Sequence, residues 1–327
     1  MATTTTQGPQ VSAVPPFAEH DKLGPLGKPQ VLNNDSELRR ALVAEFSSAA
    51  EAARSAAGSV DRGSTEAVHA YRKALRRARA VLALVGRALP KSERRAVRRA
   101  LREARRSLGV ARDHAVAPET LAALPLGTEQ RDIAAAIVHT AAESVAPAPE
   151  IKQLLAEGAA RTAAQVEALE AALPAGVSWS VVARGLRGTY DAARRARKAA
   201  KRSKRSFHEW RRRSKELVYQ LELLASLGGA NVSELHHEIE GATDPQSPAV
   251  DLIMLRDYVD TYSQGLAPAA LESLIDAIDA QLDEVAAAAR KAGKLAFAKK
   301  PRRFARRVTK AMHRDFAPLA PADEHVA

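Results

Sequence analysis

From Asp35 to Phe316 apolar residues recur at intervals of three and four, and no alternating strand pattern of useful length interrupts them. Ala, Leu, Arg and Glu dominate, all strong helix formers, so the pattern predicts an all-α chain of amphipathic helices. Asp35 or Ser36 can cap the first helix, Gly63 and Ser64 precede the second, Pro90 ends it and Ser92 opens the third. Further breaks are expected at Pro125–Thr128, Pro147–Pro149, Pro174–Ser178, Gly228–Asn231, Thr243–Pro248 and Gly265–Pro268. Long helices joined by short turns are the sequence form of a helical bundle. Residues 1–34 hold Thr, Pro and Gly with few apolar anchors and read as a disordered tail, and 317–327 as a C-terminal tail.

Two helical segments share a pattern. VHAYRKALRRARAVLAL runs from Val68 to Leu84 and FHEWRRRSKELVYQLELL from Phe207 to Leu224. His69 matches His208, Arg72 matches Arg211, Lys73 matches Arg212 and Arg76 matches Lys215, with 139 residues between equivalent positions. That period is too long for a solenoid, so it predicts a duplicated bundle, with a first half of about 35–173 and a second of about 174–316. A helical step of about 100° puts Arg72, Lys73 and Arg76 within roughly 60° of His69, while Leu75, Ala78 and Leu82 face the other way. In the second segment Arg211, Arg212, Lys215 and Tyr219 cluster about His208, and Leu217, Leu221 and Leu224 point away. Each helix is expected to show one apolar and one cationic stripe.

The charge follows the same division. The chain of 327 residues carries a formal net charge of +12. His69–Arg112 holds fifteen Lys and Arg against two acids, Arg184–Lys215 fourteen against two, and Arg290–Arg314 eleven against none. Val116–Ala183 reverses this with three basic residues and eight acids, as does Glu216–Ala289 with Arg256 alone against fourteen acids. Segregated charge repels itself, so acidic helices or a bound anion must offset it. Rows of Arg, whose planar fork takes two phosphate oxygens, and Lys, an adjustable point charge, suit a linear polyanion. The histidines could donate to phosphate or cap a local network, and both readings stay open.

Other chemistries find little support. The absence of cysteine excludes disulfides and thiolate metal sites. There is no HExxH, no phosphate-binding GxxxxGK[ST] loop, no nucleophile elbow and no acidic metal cluster. His236 and His237 are adjacent and should diverge by about 100°, and His114 beside Asp113 reads as a helix-end residue, so no metal or other cofactor is expected. Two Trp, five Tyr and six Phe are too few for a base-stacking platform. The longest uncharged run within the helical region, Ala171–Ala183, is too short to span a bilayer, and the first residues do not read as a secretory signal, so a cytoplasmic protein is expected.

The paired stretches, with ARD at Ala111–Asp113, PETL at Pro118–Leu121 and GLRGTYDAARRARKA from Gly185, resemble the CHAD domain, the conserved histidine alpha-helical domain. The resemblance runs from about Asp35 to Phe316. It implies two four-helix bundles related by a pseudo-two-fold, with a basic groove between them that binds inorganic polyphosphate, and an association with polyphosphate or polyhydroxyalkanoate granules. Val218 stands where relatives commonly place an arginine, and the Asp-His-Asp type motif after the second helix is missing. No ExExK motif of the fused triphosphatase domain occurs.

The expected function is non-catalytic binding of polyphosphate. Its contacts are expected at His69, Arg72, Lys73, Arg76, Arg77 and Arg79 in the first half and at His208, Arg211, Arg212, Lys215 and Tyr219 in the second. Supporting cations are expected at Arg98, Arg102, Arg105, Arg112, Arg187, Arg194 and Lys198. Two alternatives belong to other classes. One is a basic nucleic-acid-binding protein. The other is a granule-surface scaffold that uses the apolar sides of the terminal helix, with Phe297, Phe304 and Phe316 as anchors; the wholly basic stretch Arg290–Arg314, expected as a single helix, could either complete the groove or touch a granule.

Overall fold

The computed structural model describes residues 34–106, 109–143, 148–227 and 230–316, with the side chains of 109–115, 148, 313, 315 and 316 excepted. The two tails, and with them the expectations placed on 1–33 and 317–327, lie outside the described residues. Those described are helical, with no strand among them. The helices are α1 (Asp35–Ala57), α2 (Ser64–Val85), α3 (Lys91–Arg106), α4 (Gly109–Ala122), α5 (Thr128–Ala142) and α6 (Ala148–Ala172). They continue as α7 (Trp179–Ala199), α8 (Lys204–Ser226), α9 (Ala230–Thr243), α10 (Gln246–Tyr262), α11 (Pro268–Ala296) and α12 (Pro301–Phe316).

Local chemistry fixes the ends. The cap of α1 is Asn34 rather than Asp35 or Ser36: its side-chain oxygen accepts from the Glu37 N–H at 2.9 Å. The break between α7 and α8 contains neither Gly nor Pro. Ser203 makes it, by accepting from the Ser206 N–H at 3.1 Å and so opening α8. The basic segment from Arg290 to Arg314 is not one helix but two, α11 and α12, parted at Phe297–Lys300. Tyr190 of α7 pins this corner, its hydroxyl donating to the carbonyls of Ala296 at 3.2 Å and Lys299 at 3.1 Å. Burial pushes the Tyr190 hydroxyl up to about 12, so it stays protonated and able to donate.

Helix α1 packs on α2 and α6, and α3 on α6 and α2; likewise α7 packs on α8 and α12, and α9 on α8 and α12. Helix α2 lies against both α7 and α8. The expected apolar stripes are the ones buried: Leu75, Ala78 and Leu82 on α2, and Leu217, Leu221 and Leu224 on α8, all belong to one large core. That core is shared by helices from both sides of residue 173. A second core gathers Leu121, Ile137, Leu252, Leu255, Val259, Leu274 and Ile278 from α4, α5, α10 and α11.

One glycine decides how close α7 comes to α2. A Cβ on Gly185 would stand 2.7 Å from Leu84 Cα and collide with the backbone carbonyls beside it. Backbone meets backbone there, and no side chain can turn aside to make room. Helix α8, which packs along α7, lies against α2 as well.

Candidate functional site

The cationic stripes of α2 and α8 meet. Arg76 Nη1 donates to the Tyr219 hydroxyl at 3.2 Å, joining residues 143 apart in the chain, and Gln220 Nε2 reaches the Ala80 carbonyl at 3.5 Å. Above this seam lies a cavity of about 690 Å³. Its lining takes Arg72, Arg76 and Arg79 from α2, Arg105 from α3, and Arg205, His208, Arg211, Arg212, Lys215 and Tyr219 from α8. Eight Lys and Arg thus face two carboxylates, Glu209 and Glu216.

The remaining expected contacts lie elsewhere. His69 is exposed and Lys73 half-buried on α2, and neither lines the cavity. Arg77 turns to α1, where its guanidinium pairs with Glu45 at 3.1 Å, so it ties two helices together instead of facing the ligand space. Arg194 donates from Nε to the Phe297 carbonyl at 3.2 Å and braces the corner between α11 and α12. Arg98, Arg102 and Lys198 are exposed and Arg187 half-buried, all outside the lining. The side chain of Arg112 lies outside the described residues.

Arg205, Glu209 and Glu216 line the cavity as well, and none of them is among the contacts expected from the sequence. Arg205 stands three residues before His208 on the same stripe, a spacing that marks it once the stripe is followed toward the helix N-terminus. Glu209 pairs with Arg212 and, at 2.8 Å, with Arg213, which also reaches Glu216 at 3.1 Å. Burial alone would lower the Arg213 guanidinium, but Glu216 and Glu209 together raise it. Buried Lys215 pairs with Asp244 at 3.3 Å, and Arg211 Nη2 donates to Ser247 Oγ at 3.1 Å. Arg79 is held differently. Burial first, then repulsion from Arg105, Arg212 and Arg213 against the pull of Glu216, bring it down to about 10. A guanidinium so placed remains charged at neutral pH, and a bound anion would relieve the repulsion around it.

Two further expectations need correction. Phe297 and Phe304 are buried, 1% and 2% exposed, and Phe304 stacks on Tyr190 with ring centroids 4.0 Å apart, so neither can anchor a surface. The side chain of Phe316 lies outside the described residues. His236 and His237 do not diverge as adjacency suggests: their ring centroids are 5.3 Å apart, because the long imidazole arms lean together beyond the helix backbone.

Comparison with known proteins bears on this geometry. The family model of the CHAD domain matches residues 44–260. The chain belongs to the CHAD-domain family. Both cationic stripes and every cavity-lining residue fall within the matched span. Among solved structures, the crystal structure of the CHAD domain from the plant Ricinus communis superimposes with a TM-score of 0.58 at 19% identity. The match covers 79% of this chain and 93% of that one, so the CHAD fold is shared over most of the molecule. No curated protein matches this CHAD sequence. Among the described residues no helix is long and apolar enough to cross a membrane.

Proposed function

We propose that this CHAD protein binds inorganic polyphosphate in the cavity between α2 and α8 and catalyses nothing. The observation that carries the reading is the lining itself, eight Lys and Arg against two carboxylates, drawn from helices of both halves. The CHAD family is often linked to polyphosphate, which agrees with a concave cationic site better suited to a thin chain of phosphates than to a duplex. The halves are read as two four-helix bundles of one duplicated design, α1, α2, α3 and α6 against α7, α8, α9 and α12, related by a pseudo-two-fold. Their matching packing partners support this. On this reading the protein is cytoplasmic, and any attachment to a granule runs through the polyphosphate, since Phe297 and Phe304 are buried.

Titration of the full chain with long-chain polyphosphate, repeated at rising salt and in competition with duplex DNA, tests the proposal. Binding should weaken steeply with salt, because several phosphates shed their counterions on contact. Polyphosphate should displace DNA at equal phosphate concentration. A flat salt response, or DNA bound in preference, contradicts it. Incubation with polyphosphate and divalent metal should release no phosphate, and turnover that follows the purified protein overturns the non-catalytic reading.

A further inference from the structure

One cluster on α9 plays no part in the cavity. His236, His237 and Glu240 each bring one ligand atom into a group whose members all lie within 4.8 Å of one another. His236 Nε2 stands 3.7 Å from Glu240 Oε2. The spacing arises from the helix: residues four apart share a face, and the histidine between them leans over from the side. His236 is 9% exposed, so its packing holds the ring in place, and its buried Nε2 has no hydrogen-bond partner. A buried polar atom left without a partner is rare and calls for an explanation.

We propose that His236, His237 and Glu240 bind one divalent transition-metal ion of the imidazole-seeking class, such as Zn²⁺, Co²⁺ or Ni²⁺. The donor set of two imidazoles and one carboxylate is the three-ligand set of open zinc sites, and it leaves a coordination position for water or an anion. Metal–ligand bonds of about 2.0–2.2 Å at tetrahedral angles put ligand atoms roughly 3.4 Å apart. The His236–Glu240 pair is within a few tenths of an ångström of that separation. His237 is exposed and so has room to swing its ring through the remaining distance. Hard cations such as Mg²⁺ and Ca²⁺ require several oxygen ligands, and one carboxylate does not supply them. The charges nearby do not forbid a cation. Lys215 faces His236, but its ammonium is paired with Asp244 at 3.3 Å, and Glu240 adds a second negative charge. None of the three ligands lines the cavity, and the proposal is independent of polyphosphate binding.

The test is titration of the untagged, chelator-stripped full chain with Co²⁺, read by visible absorption, followed by back-titration with Zn²⁺. The wild type should bind one equivalent with the visible bands of a tetrahedral site, and Zn²⁺ should abolish them. His237→Gln and Glu240→Gln alter ligands outside the core and leave His236 packed, so the fold should hold, with circular dichroism as the check. Each should weaken that equivalent by at least about tenfold. His139→Gln, at an exposed histidine on α5, should leave it unchanged. No cobalt band in the wild type, or the same affinity in His237→Gln and Glu240→Gln as in the wild type, overturns the assignment.

Discussion

At the residue scale, Arg79 best shows how binding and stability oppose each other here. Its folded pKa of about 10 lies below the usual guanidinium value, so the fold disfavours the charged form. For a base depressed in this way the penalty is fully present at neutral pH and is relieved only as pH rises above about 10. Arg79→Met removes both the desolvation and the repulsion from neighbouring cations. It should raise the stability of the unliganded protein, by up to roughly 3 kcal/mol, in a denaturant melt. It should also lower affinity for polyphosphate by at least about tenfold, since a half-buried cation is lost from the site. A variant that is less stable and binds equally well contradicts this account. The cationic stripe containing Arg79 was legible because helical periodicity sorts residues onto faces. The turn of Arg77 toward Glu45 was not, for it depends on a partner 32 residues away on another helix. The aromatic anchors failed for a related reason. Around so many charges Phe297 and Phe304 look exposed, yet they are the buried stripe of that region.

At the element scale, the approach of α7 to α2 gives a paired prediction within one helix. Gly185→Ala forces a Cβ against the backbone of Leu84, where nothing can shift cheaply, and should cost about 1–3 kcal/mol. Gly188→Ala, one turn away, meets only the far end of Arg87 at 4.0 Å. There the better helix propensity of alanine should dominate and stabilise by about 0.5–1 kcal/mol. Thermal melts of the two variants should therefore move in opposite directions, and a shared direction would show that helix contact does not govern this position. Most helix ends marked by Gly or Pro were readable from the sequence. The break at Ala200–Ser203 was not, since it rests on one serine cap, and the corner at Phe297–Lys300 is set by Tyr190 and Arg194 from a distant helix.

At the scale of the whole molecule, the central claim is that two stretches 139 residues apart form one site. The positions chosen to test it matter. Lys215 is buried beside Asp244, so a glutamate there would leave two carboxylates together and damage the fold along with the site. Arg205 and Arg212 are exposed, line the cavity and leave that pair intact. The decisive measurement is the affinity for long-chain polyphosphate, at one salt concentration, of Arg72→Glu with Arg76→Glu and separately of Arg205→Glu with Arg212→Glu. Circular dichroism and melting temperature must first match the wild type. Each exchange replaces attraction to a phosphate with repulsion, and a loss of about 1.4 kcal/mol is already tenfold in affinity. A shared site predicts that both pairs weaken the same long ligand by at least that factor, one pair acting from α2 and the other from α8. If the α8 pair stays folded and binds long chains as tightly as the wild type, the two stripes do not form one site.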